Sequence, residues 1–433
     1  MLLDFTVENF RSIKGAETLS AVAASKSKGK PSNSESRRQI KSDDEIAQPF
    51  HIEGWDIDVL PVIAIFGANA SGKSNVLKAL QYLLSFMNFG NDWERQSPLI
   101  TFKLDSESRE APSRFALRTV FNRTIYTYSL VLDNSQIISE KLEYSLASTK
   151  RDRLLYSRTW NKVDKKFDWK NGSTFSGAHI QLEKELQQRE PFISLFSKLE
   201  VDVVKPLIHW LMSRKVGIEW AHKKFDPRNL RLIVNPNQDK NNSDGWFQAE
   251  ENAKKLLREF DTGLCDFEVI KSGNGSDDFQ IIAFHETEKG EMISWKFEEE
   301  SMGTQYLLSI AYNIQIMFLQ GCLSMADELG SNLHPNITRK ILRLFQSQKT
   351  NPNRAQLIFT SHDNTLQRNN LLRRDQIWFT QKRPDQSTEL YSLSDFKVRN
   401  DLAIDKAYLD GRFGAVPFIS DEDDSMPIGD DDG

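Results

Sequence analysis

Two cysteines are all that 433 residues contain, and Cys265 and Cys322 lie far apart in the chain. That excludes a disulfide framework and a cysteine metal cage, and makes a reducing cytoplasm the expected compartment. No apolar run approaches the roughly 20 residues that cross a bilayer. Met1 leads directly into an alternating run rather than a signal peptide, so no membrane partner is expected. Positive charge is not in excess either. The 56 Lys and Arg against 61 Asp and Glu leave a net charge of −5, so no global basic field announces nucleic acid, although a local basic groove stays open. No long heptad run predicts a coiled-coil arm. There is no PD-ExK-type nuclease core, no Arg–His ribonuclease pair and no nucleophile triad, and the stretch beyond His362 is too short for another catalytic domain of ordinary size.

What is present is a globular composition, 39% hydrophobic and 27% charged. The length predicts two or three subdomains. Residues 2–10 alternate as a strand, residues 25–45 turn polar and read as a loop, and residues 60–66 form a buried-strand run that enters a glycine-rich turn and a helix over 75–87. Short strands separated by Asn, Asp and Lys turns fill 101–170, helical spacing of leucines covers 180–214, and strands return over 267–297. From Gly303 the pattern is helix, strand, helix, strand. The division expected is an N-terminal lobe over 1–170, a helical insert over 171–265, a C-terminal lobe over 266–419 and a disordered acidic tail over 420–433.

The strongest motif is Gly67-Ala68-Asn69-Ala70-Ser71-Gly72-Lys73-Ser74, followed by Asn75. It fits the G-x-x-x-x-G-K-[ST] phosphate loop between a buried strand and a helix. Glycines let backbone N–H groups turn inward, and the helix start adds partial positive charge. Lys73 is expected to reach the β and γ phosphates of ATP, and Ser74 to ligate Mg²⁺.

Four later features extend the site. An apolar run ends in Asp327-Glu328, where Asp327 would hold Mg²⁺ and Glu328 would polarise the attacking water; a solvated strand end is the plainer explanation of that pair taken alone. Residues 330–335 (GSNLHP) form a polar loop before a helix, either an ordinary turn or a loop that senses a second active site. Residues 358–363 (IFTSHD) end a strand at His362, placed to hydrogen-bond a γ phosphate. Ser301-Met302-Gly303-Thr304-Gln305 opens a helix; Ser301 or Thr304 would serve as a plain N-cap, and Ser301 and Gly303 also stand where a helix N-terminus meets an anion.

With these motifs in place the chain resembles ABC-type ATPases of the RecF/SMC-like branch, and more narrowly the RloA-type (AriA-like) predicted ATPases of bacterial antiphage defence systems. The resemblance runs through residues 3–12 (LDFTVENFRS), the phosphate loop, ESMGTQ, DELGSNLHP, FTSHD and the stretches RRDQIWF, ELYSLSDF and YLDGRFGAVPF. It implies an α/β fold: a P-loop ABC-type core with a β-rich subdomain and an inserted helical subdomain. It implies that Arg11 and Ser12 approach the nucleotide phosphates, and that Ser301, Gly303, Thr304 and Gln305 form a signature closing over ATP held by another subunit. Glu140 stands near the place of the family's glutamine loop. The implied partners are further copies of the chain, as a dimer or higher assembly, and a separate effector nuclease, such as a TOPRIM-type enzyme. A RecF-like ATPase of DNA repair or recombination is the alternative, with Lys150, Arg151 and Arg153 or Lys162, Lys165, Lys166 and Lys170 as basic clusters; a solvated charged surface is the plainer explanation of both. Trp210, Trp220 and Trp246 are expected to pack in a core or interface rather than stack on bases.

Overall fold

The computed structural model describes residues 1–24, 48–90, 98–175, 183, 186–198, 201–212, 243–260, 262–271, 279–331, 333–368, 371–399 and 402–417. The polar stretch over 25–45, Trp220, Asn332 and the acidic tail lie outside the described residues, as does much of the insert.

The chain opens with β1 (Leu2–Glu8) and β2 (Glu17–Ser20), then the ribbon β3 (Phe50–Ile52) and β4 (Ile57–Val59), then β5 (Val62–Gly67), which runs into α1 (Lys73–Phe89). After α2 (Ser106–Glu110) come β6 (Ser113–Phe121), β7 (Thr124–Leu132), β8 (Ile137–Leu146), β9 (Asp152–Asn161) and β10 (Lys166–Asn171). Helices α3 (Lys205–Met212) and α4 (Ser243–Glu259) precede β11 (Asp266–Lys271), β12 (Phe279–Glu286) and β13 (Met292–Lys296). The last part alternates α5 (Met302–Gln320), β14 (Leu323–Ala326), α6 (Pro335–Gln346) and β15 (Gln356–Thr360), and ends in β16 (Ile377–Lys382), β17 (Thr388–Ser392) and α7 (Ile404–Leu409).

The architecture is α/β. A five-stranded sheet in the order β14-β15-β5-β16-β17 forms the centre, parallel except for β17. Every residue of β5, β14 and β15 is buried, as expected of parallel strands covered on both faces. Side chains alternate between faces. Ile63 and Ile65 join a cluster with α1 and the antiparallel sheet, while Val62, Ala64 and Phe66 join a second cluster with α5 and α6.

The second sheet, β10-β9-β8-β7-β6-β1-β2, is antiparallel. Its meander puts the β8–β9 turn, with Lys150 and Arg151, at one end and the β9–β10 turn, with Lys162 and Lys165, at the other. The two basic clusters therefore do not merge, and Lys166 of the second stands 3.8 Å from Asp164. Glu140 is buried in β8, where Tyr128 and Tyr156 hydroxyls, the Arg158 guanidinium and the amides of Phe192 and Ile193 all donate to its carboxylate at 2.7–3.2 Å. That carboxylate is saturated by structural donors, which removes it from the glutamine-loop place.

The helical expectation over 180–214 is corrected in part. The described residues there form 3-10 turns at Phe192–Lys198 and Asp202–Val204 before α3 begins. Pro191 and Pro206 punctuate the segment, and short turns suffice to bury Phe192, Ile193 and Phe196. Trp210 packs against Phe121 with ring centroids 5.1 Å apart. Among the described residues no helix is long and apolar enough to cross a membrane.

Candidate nucleotide-binding site

Strands β14, β15 and β5 are neighbours and parallel, so the segments leaving them emerge side by side at one end of the sheet. That end is where open α/β sheets bind ligands. The loop leaving β5 needs its glycines: Gly67 and Gly72 have φ of 152° and 110°, and a Cβ on Gly72 would collide with the Thr388 side chain. Ala70, at φ 61°, and Asn69 form the exposed tip. Ser71 is tied beneath by a hydrogen bond between its hydroxyl and that of Thr380, 2.7 Å.

Lys73 opens α1 and is buried. Its Nζ donates to the carbonyls of Gly67 (2.8 Å) and Ala68 (3.0 Å), lying across the inside of the loop. Burial lowers its pKa, while the carboxylates of Asp327 and Glu328 pull the other way. The first turn of α1 carries no acidic residue to oppose an anion.

Ser74 follows, and its Oγ donates to Asp327 Oδ1 at 2.9 Å. The Thr360 hydroxyl donates to the same oxygen at 2.6 Å and accepts the Glu328 amide at 2.7 Å. One buried hydroxyl at the end of β15 thus holds both acidic residues beyond β14. Glu328 sits at φ 54°, a left-handed conformation that costs a non-glycine residue about 1–2 kcal/mol, with its side chain exposed. His362 lies two residues past β15. Its pKa is lowered by desolvation and by the Lys73 ammonium, against the opposing pull of Glu328 and Asp327.

The N-terminal motif reaches the same place by a different route. Asn9 and Arg11 take φ of 55° and 52°, making a tight turn after β1. Asn9 is buried; its Nδ2 donates to the carbonyls of Ser108 and Ala111, both at 2.8 Å, and its Oδ1 accepts the Phe102 amide at 3.0 Å. Ser12 Oγ bonds Thr388 Oγ1 at 2.7 Å and accepts Asn75 Nδ2 at 2.7 Å. Arg11 lies with its guanidinium 5.6 Å from the Phe10 ring, and its Nε is buried with no hydrogen-bond partner among the described residues.

The remaining motif stands apart. Ser301 is the N-cap of α5, accepting the Thr304 amide at 3.0 Å, and its hydroxyl bonds that of Thr304 at 2.9 Å. Gln305 Nε2 donates to the carbonyls of Glu298 (3.2 Å) and Glu300 (2.9 Å). Ser301, Met302 and Gly303 are exposed. Their hydrogen bonds are local, so the chain brings Lys73, Ser74, Asn75, Ser12 and Asp327 together, with Glu328 beside Asp327 on Thr360, and leaves Ser301 and Gly303 exposed at the start of α5, with Thr304 buried and Gln305 half-buried behind them. His334 N-caps α6 with Pro335 at its first position, as the polar loop led one to expect. A separate cleft of about 730 Å³, lined by Met1, Val120, Arg123, Trp210 and Arg354, opens at the opposite end of the parallel strands.

Sequence reasoning missed the threonines. Thr360 lies inside the quoted FTSHD string without a role, and its position as the last residue of a buried strand was the available signal. Thr380 and Thr388 carry no local signal, because only the β16–β17 hairpin brings them under the loop.

The family model described as "AAA domain, putative AbiEii toxin, Type IV TA system" matches residues 62–368, from the start of β5 to just past His362. The chain belongs to this family. Its AAA domain therefore spans all the acidic, basic and hydroxyl groups described above except those of the N-terminal turn and the β16–β17 hairpin, and membership makes it an ATPase-class, nucleotide-binding protein. No curated protein matches the sequence. Similar solved structures include a SmcHead bound to the C-winged helix domain of ScpA, at 13% identity and TM-score 0.45, covering 94% of this chain and 99% of that one. An SMC head domain from Thermotoga maritima is similar at 13% identity and TM-score 0.40, covering 90% and 98%. So is an Smc head domain with an extended coiled coil bound to the C-terminal domain of ScpA derived from Pyrococcus furiosus, at 12% identity and TM-score 0.39, covering 95% and 98%.

Proposed function

We propose that the chain is an ATP-hydrolysing switch that works as a dimer or higher assembly. The observation that carries this reading is the convergence of Ser74, Asp327, Glu328 and Thr360 beside a lysine-bearing phosphate loop. Lys73 exchanges its loop carbonyls for the β and γ phosphates, and the amides of the loop meet the remaining oxygens. Ser74 Oγ and Asp327 Oδ1, 2.9 Å apart, form an all-oxygen pair that suits Mg²⁺. When bound, that ion neutralises phosphate charge. Glu328, exposed in side chain but fixed in backbone, orients and polarises water; His362, whose pKa desolvation and the nearby ammonium lower, donates or accepts at the γ phosphate.

The outward-facing start of α5 completes the pocket of a second copy. By helix geometry the amides of Met302 and Gly303 have no intrahelical acceptor, and the Ser301 cap leaves them available to an anion. The γ phosphate then bridges two chains, and its loss releases them. Such a difference in affinity between states is what makes a switch. By its resemblance to RloA-type ATPases, the switch serves as the sensor of a two-gene antiphage system and controls a separate nuclease, of TOPRIM type for instance. The alternative, a RecF-like DNA-gripping ATPase, would use the exposed Arg151 and Arg153 and show a salt-dependent DNA affinity.

Glu328→Gln is expected to bind ATP, to stop hydrolysis and to accumulate as an ATP-dependent dimer by mass measurement, whereas Lys73→Ala fails to bind. Hydrolysis by Glu328→Gln at the parental rate refutes the role of Glu328. Copurification with the product of the neighbouring gene tests the effector.

A further inference from the structure

Four groups from three separate parts of the chain form one directed hydrogen-bond relay. Asn75 Nδ2–H donates to Ser12 Oγ at 2.7 Å. The Thr388 hydroxyl donates to the Ser71 carbonyl at 2.9 Å, so in its 2.7 Å bond with Ser12 it accepts. Each hydroxyl therefore gives one bond and takes one, and polarisation along such a chain strengthens its members. The relay begins on α1 and ends on the phosphate loop, while its two middle members come from the N-terminal turn and from β17, both outside the AAA domain match at 62–368. A second bond fixes the geometry: the Thr388 amide donates to the Ser12 carbonyl at 2.7 Å, so the pair is held by backbone as well as side chain.

We infer that Ser12 and Thr388 are positioning residues that staple the phosphate loop in its anion-receiving shape. The reason lies in the peptide between Ser71 and Gly72. It is planar and trans, so its C=O and N–H point opposite ways. Anchoring the carbonyl on Thr388 aims the Gly72 amide away from β17. Thr388 also fills the space beside Gly72 that a Cβ would occupy, which keeps residue 72 at its φ of 110°. The anchor at Asn75 fixes the helix start relative to the same strand. A triphosphate then meets a cradle whose ordering cost is already met, the general source of affinity in preorganised sites. This gives Ser12 a role other than direct phosphate contact, since its hydroxyl is committed on both sides. The inference rests on ATP occupying this loop, and not on hydrolysis or dimer formation.

The test is equilibrium binding of Mg²⁺–ATP to the full chain, read by calorimetry, with Lys73→Ala as the reference for loss of the site. Thr388→Val is expected to weaken ATP binding about tenfold or more, and Thr388→Ser to restore it to within about threefold. Ser12→Ala is expected to resemble Thr388→Val, and the double variant to be no weaker than either single, because one relay is broken once. Thr119→Val, a buried threonine in the antiparallel sheet, controls for generic loss of stability and is expected to bind normally. Parental affinity in Thr388→Val overturns the inference, as does a Thr388→Ser variant as weak as Thr388→Val, or full additivity of the two sites. If Lys73→Ala binds ATP as the parent does, ATP lies elsewhere and the loop assignment falls together with the staple; if only hydrolysis or self-association fails, the staple stands.

Discussion

Replacing Thr360 by Val keeps the shape of a residue with no solvent exposure and removes one hydroxyl. That hydroxyl donates to Asp327 Oδ1 at 2.6 Å and accepts the Glu328 amide at 2.7 Å. Losing a hydrogen bond to a charged group costs about 1.5–3 kcal/mol, and leaving an amide unpaired costs about 1–3 kcal/mol more where water cannot replace the partner. Because the Glu328 amide is only part-buried, the sum expected is about 2–4 kcal/mol, which a protein of ordinary stability survives. The same loss frees two acidic residues to drift. If about 1.4–2.8 kcal/mol of it is felt in the transition state, kcat falls by about ten- to a hundredfold. Denaturant unfolding and steady-state phosphate release measure the two effects, and Thr360→Ser is expected to retain both properties. A Thr360→Val protein with the parental unfolding midpoint and the parental turnover refutes the reasoning.

Three further outcomes follow from other parts of the structure. Gly72→Ala, which forces a Cβ into Thr388 at a φ that L residues avoid, is expected to abolish ATP binding and to lower stability by at least about 1–3 kcal/mol in denaturant melts. Glu140→Ala strands the Arg158 charge in the antiparallel sheet and is expected to cost about 3–5 kcal/mol, and replacing both residues with Leu is expected to recover only part of that, because the Tyr128 and Tyr156 hydroxyls and the Phe192 and Ile193 amides still lose their acceptor. His362 has a folded-state pKa below its unfolded value, so its neutral form is favoured by folding: its stabilising contribution is complete above about pH 6.5 and is lost as pH falls through the folded pKa. Comparing unfolding midpoints of the parent and His362→Asn between pH 7.5 and 5 should show a steeper acid loss in the parent; parallel curves would exclude the linkage.

The sequence made the phosphate loop and the order of the last helices and strands readable because each depends on local rules: glycine where φ is positive, unbroken apolar runs for covered strands, Pro335 at a helix start. The motifs also predict that Ser74 and Asp327 share one neighbourhood, and the fold sets them 2.9 Å apart. What escapes the sequence is the pairing of distant segments that no motif carries. Thr388 gains its meaning only because β17 returns beside β16, and Glu140, expected near the place of the glutamine loop, instead gathers five donors from β7, β9 and the 192–193 turn. The apolar spacing over 192–198 reads as a helix because 3-10 turns also place apolar residues three apart, as at Phe192 and Leu195, while α3 at Lys205–Met212 is helical as the pattern predicts.

β5 forms a party wall: Ile63 and Ile65 line one apolar interior while Val62, Ala64 and Phe66 line the other. Neither half of the molecule can therefore be cut away without stripping one side of the strand from which the glycine-rich loop hangs. Separately expressed fragments divided near residue 170 are expected to be insoluble alone yet to recombine when coexpressed, and nucleotide should protect both pieces from protease together rather than one before the other.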